Sequence, residues 1–101
     1  MPSYTLTDGE AQNLAHPTTF YIPPQEERLN LRPGDLAKVV FSPPSGQGYS
    51  ERMWVKITEV LEPGKYKGTL DNDPTNPNLG LSFEDKVEFE ARHVIQLQVV
   101  C

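Results

Sequence analysis

Two short runs gather the side chains of this chain that are best suited to chemistry or recognition: Arg52-Met53-Trp54-Val55-Lys56 and Asp71-Asn72-Asp73. The acids of the second run invite two catalytic or metal-binding readings. Alternate carboxylates open an EF-hand loop, but counting from Asp71 puts Asn76 where the loop needs glycine and Ser82 where it needs a closing glutamate. A strand end whose short polar side chains take backbone amides and form a turn explains Asp71-Asn72-Asp73 better. Glu51, Glu59, Asp71 and Asp73 are also candidates for a general acid and base pair, although any acidic domain holds such pairs by chance.

Other chemistries lack their parts. A structural zinc ion wants about four Cys or His ligands in paired spacings, and Cys101, His16 and His93 lie far apart in sequence. His93 has no nucleophile elbow to serve and reads as a surface histidine at a strand start. Ser45-Gly46-Gln47-Gly48 leads into a strand and carries no phosphate-binding lysine. No metal, cofactor or catalytic set is expected, and the prediction is a binding protein. A small-ligand binder or hydrolase using Asp71 and Asp73 at a barrel mouth is the alternative.

The totals bound that reading. A length of 101 residues suits one domain, and a 37% apolar share with ten prolines spends much of the chain on turns. Cations number three against five acids over residues 1–50 and six against nine over 51–101, so the net charge of −5 is spread evenly. Such a balance disfavours nucleic acid and anionic membranes, which need clustered cations, and suits a protein partner of basic character. A single cysteine, no secretory leader and no apolar run of about 20 residues lead us to expect a cytoplasmic protein.

The elements that must position these residues are strands. Residues 1–24 read as an extended N-terminal arm, with Phe20, Tyr21 and Ile22 as a short extended candidate. Residues 25–101 read as a single β domain. Gln25 to Leu31 suits one helical turn, with Leu29 and Leu31 plugging a barrel end. Arg32-Pro33-Gly34-Asp35 suits a type II turn into a strand from Leu36 to Phe41. Ser42 to Gly48 reads as a flexible loop.

Arg52 to Leu61 and Lys65 to Asp71 flank Glu62-Pro63-Gly64-Lys65 and predict a hairpin. Setting Leu61 opposite Tyr66 places Ile57 opposite Leu70, Val55 opposite Asn72, Lys56 opposite Asp71 and Trp54 opposite Asp73. One face is then apolar. The other carries Trp54, Lys56, Thr58, Thr69, Asp71 and Asp73, an aromatic anchor among charges of both signs, as interfaces favour. Arg52 and Asn72 complete the predicted binding set. As ordinary surface, the same pairing predicts a Lys56–Asp71 ion pair of about 0.2–1 kcal/mol.

Asp73 to Gly80 is a second loop, and strands follow at Lys86 to Phe89 and His93 to Val100. Leu29-Asn30-Leu31 before Asp35 and Leu79-Gly80-Leu81 before Asp85 share a spacing, which we read as two similar strand entries. About five short strands with one helical turn predict a small barrel, SH3-like first and OB-like second.

Across Glu51 to Thr58 and Tyr66 to Pro74, the W-V-x-[IV] and G-x-L-D-N-D-P patterns resemble those of the YegJ-like family of small bacterial β domains. The similarity runs over roughly residues 26–96, and Glu84 stands where that family often has a glycine before Asp85. The resemblance implies a compact β domain without an established activity. Its association with toxin and immunity modules implies an immunity-like or regulatory protein that binds and inhibits another protein.

Overall fold

The computed structural model describes residues 4–99. Six antiparallel strands form one curled sheet: β1 (Thr5–Leu6), β2 (Leu36–Ser42), β3 (Glu51–Glu62), β4 (Lys65–Leu70), β5 (Lys86–Glu90) and β6 (Gln96–Gln98). Strands β2 to β5 form a meander. β6 then returns to pair with β2 at Leu36 to Lys38, while β1 pairs with β2 at Phe41 and Ser42. This is a small barrel-like β fold, a curled half-barrel sheet with one strand more than the five expected.

Alternation explains the core. Ala37, Val39 and Phe41 of β2, Met53, Val55 and Ile57 of β3, Tyr66 and Leu70 of β4, and Val87 and Phe89 of β5 all point inward and are buried. Leu31, Leu79 and Val94 close the cluster from outside the strands. Each fully buried aliphatic or aromatic side chain contributes roughly 1.5–3 kcal/mol, so the period-2 pattern dictates which face each strand buries.

The hairpin forms, but its register differs from the expected one. Glu62 pairs with Lys65 as the turn requires, then β3 bulges twice, between Val60 and Glu62 and between Ile57 and Glu59. Val55 therefore faces Leu70, Lys56 faces Thr69 and Ile57 faces Gly68. Each bulge inserts one residue and inverts the faces; two restore them. The polar and apolar surfaces survive a two-residue displacement, and the Lys56–Asp71 ion pair does not form.

The N-terminal region is no extended arm. Thr5 and Leu6 extend the sheet, and Asp8 caps α1 (Gly9–Ala15) by accepting the Ala11 amide at 3.0 Å. Phe20 to Ile22 adopt no strand, because their segment is folded back by local bonds: the Phe20 amide donates to the His16 carbonyl at 2.8 Å, and Asn13 Nδ2 donates to the Phe20 carbonyl at 2.8 Å. Arg28, at the end of α2 (Gln25–Arg28), is buried and pins the region. Its Nη1 meets Glu10 and donates to the Ala91 carbonyl at 3.0 Å, and its Nε donates to the Pro23 carbonyl at 2.8 Å.

Three smaller expectations are corrected. Leu31 enters the core but Leu29 is 40% exposed, covering Gly64 instead of filling the barrel. The expected last strand shrinks to Gln96–Gln98, since Ala91–His93 make a 3-10 turn; Val100 and Cys101 lie outside the described residues. His93 is only 6% exposed, its Nδ1 accepting the Glu90 amide at 2.9 Å.

Candidate functional site

The outward side chains of β2 and β3 and those at the end of β4 form one polar surface, in which Trp54, Lys56, Thr69 and Asp71 of the expected hairpin face are joined by Lys38 of β2. Lys38 of β2 pairs with Trp54 of β3, and the Asp71 amide just beyond β4 donates to the Trp54 carbonyl at 2.9 Å. Lys38, Trp54 and Asp71 thus form one row across three strands. The next row holds Leu36, Lys56 and Thr69.

Trp54 is half-buried because Lys38 lies over its indole, with Nζ 4.8 Å from the ring centroid. Arg52 lies over the Phe20 ring at 5.4 Å, although Phe20 belongs to the folded-back N-terminal segment. Each cation–π contact contributes about 0.5–1 kcal/mol at such exposure and leaves the cation charged. A groove of about 340 Å³ runs beside them, lined by Thr19 to Tyr21, by Lys38 and Arg52, and by Ile95 and Gln96.

The ion pairs among the described residues involve Arg28, Lys65 and Arg92. Lys38, Arg52 and Lys56 join none of them. The two-strand face is therefore locally cationic within an acidic chain.

The acidic run behaves differently from its cationic neighbour. Asn72 turns back into the fold, its Oδ1 accepting the Trp54 amide at 2.6 Å, as a turn-forming side chain would. Asp71 and Asp73 are exposed and line neither the groove nor the other principal clefts. Among the described residues no three His, Cys, Asp or Glu side chains are grouped to hold a metal ion.

Reasoning from sequence missed Lys38 and Phe20. Lys38 was legible in principle, as the outward residue at the middle of the first long strand. Phe20 was not, because its position depends on a chain reversal that no periodicity announces. Also missed was the clamp between the two long loops: Glu51 accepts the amides of Thr75 and Asn76 at 2.9 and 2.6 Å, and Asn76 Nδ2 donates to the Gln47 and Tyr49 carbonyls at 3.3 and 3.0 Å. The loop expected to be flexible by composition is tied down through a buried asparagine.

No family model, curated protein or solved structure matches the chain. No helix among the described residues is long and apolar enough to cross a membrane.

Proposed function

We propose that this domain is a non-catalytic module that binds another protein through the outer face of β2 and β3. The observation that carries this reading is the row of Arg52, Trp54 and Lys56 beside Lys38. The three cations join no ion pair among the described residues, and two of them, Lys38 and Arg52, lie over aromatic rings and line the groove. Tryptophan and arginine dominate the energy of protein interfaces, and a half-buried indole needs little ordering before it docks. A domain of this size held against a partner acts by covering part of it, which is the immunity-like or regulatory role expected from the sequence.

Capture of partners from a native lysate tests the proposal. The wild-type domain retains a specific partner, and a folded Arg52→Ala/Trp54→Ala variant loses it.

A further inference from the structure

The charge of the face specifies what would cover it, and this inference rests on the binding reading above. Outward residues of a strand recur about every 6.6–6.8 Å, so Arg52, Trp54 and Lys56 span roughly 13 Å. Lys38 stands beside the central position, in register with Trp54. An extended partner segment presents its own alternate side chains at the same repeat.

Acids outnumber cations 14 to 9 in the whole chain, yet none of these three cations has an ion-pair partner among the described residues. An incoming carboxylate would gain a charge-assisted hydrogen bond without breaking an internal pair. A basic segment, which the net charge alone would favour, meets like charge here instead. A nucleic acid is the poorer fit, since three cations with Asp71 beside the central row offer few phosphate contacts and the remaining acidic surface repels a polyanion.

We infer that the outer face of β2 and β3 takes an extended acidic segment of a partner protein, with alternate carboxylates meeting Arg52, Lys38 and Lys56. The groove beside Phe20 receives the end of that segment nearest Arg52.

The test uses labelled peptides of alternating Glu-Thr, Gln-Thr and Lys-Thr, with a single-stranded DNA of matched charge. Fluorescence polarisation and the emission of Trp54, the only tryptophan, are read at about 50 and 150 mM salt. The Glu-Thr peptide should bind and shift the Trp54 emission. Arg52→Gln/Lys56→Gln should weaken it about tenfold or more at an unchanged thermal midpoint, while Lys86→Gln on β5 leaves it intact. Equal binding of the Gln-Thr peptide, or tighter binding of the DNA, overturns the acidic-segment assignment. Binding of the Lys-Thr peptide with a Trp54 shift overturns it too, but leaves the binding face standing. If no probe moves Trp54, the assignment falls, and partner capture decides the face separately.

Discussion

Asp35 and Asp85 perform the same task at the entrances to β2 and β5. Asp35 Oδ2 accepts the Arg32 amide at 2.9 Å while its own amide donates to the Arg32 carbonyl at 3.0 Å. Asp85 Oδ2 accepts the Ser82 amide at 2.8 Å while its amide donates to the Ser82 carbonyl at 3.0 Å. Each turn is then sewn to a neighbouring strand: Gly34 and Asp35 bond Ile57, and Glu84 and Asp85 bond Leu70. The two similar strand entries seen in the sequence are thus one device used twice.

The device requires a left-handed residue before each aspartate. Gly34 meets this at φ 98°, but Glu84 adopts φ 71° with a side chain that pays about 1–2 kcal/mol there. Glu84→Gly should raise stability by about 1 kcal/mol, and Gly34→Ala should lower it by a similar amount, since an added Cβ meets nothing within 4 Å and strain is the only cost. Urea unfolding at neutral pH measures both.

The paired aspartates differ in burial, Asp35 being 2% exposed and Asp85 only half-buried. Asp35→Ala should therefore cost about 2–3 kcal/mol and Asp85→Ala about 1 kcal/mol. The same denaturation series reads the order of the two, and the reverse order would contradict the account of the turns.

Gly68 marks where β4 meets the bulged part of β3. A Cβ there would run into the Lys56 carbonyl, with the Val55 side chain also too close at 2.8 Å. Gly68→Ala should cost about 3 kcal/mol or more, whereas Thr69→Ala, on the outer face beside it, should cost under about 1 kcal/mol. Thermal unfolding of the two variants separates a backbone collision from an ordinary surface change.

Burial lowers the pKa of His93 below 6.5, and the Arg92 charge adds to this against the opposing Glu90 and Asp8 carboxylates. A depressed folded pKa means that the unfolded chain binds the proton first as pH falls. The His93 contribution is fully present above about pH 6.5 and is lost as pH drops through the lower folded value. The thermal midpoint should fall across that window, and His93→Asn should flatten this part of the profile.

The period-2 runs made the barrel legible, because Val55, Ile57, Tyr66 and Leu70 have only one face they can afford to bury. The hairpin register was not, since bulges leave no local composition; two successive one-residue shifts happened to return Trp54 and Asp71 to the same side. The folded-back N-terminal segment escaped the reading for a different reason. Its order comes from side-chain bonds to backbone carbonyls, Asn13 to Phe20 and Arg28 to Pro23 nearby and to Ala91 far along the chain, and neither residue type advertises such a partner.

The outer face of β2 and β3 is tested most directly by capturing partners on the wild-type domain and on Arg52→Ala/Trp54→Ala at matched thermal midpoints. A specific partner retained by the first and lost from the second is the predicted result. A variant that keeps every specific partner would contradict the proposed binding surface.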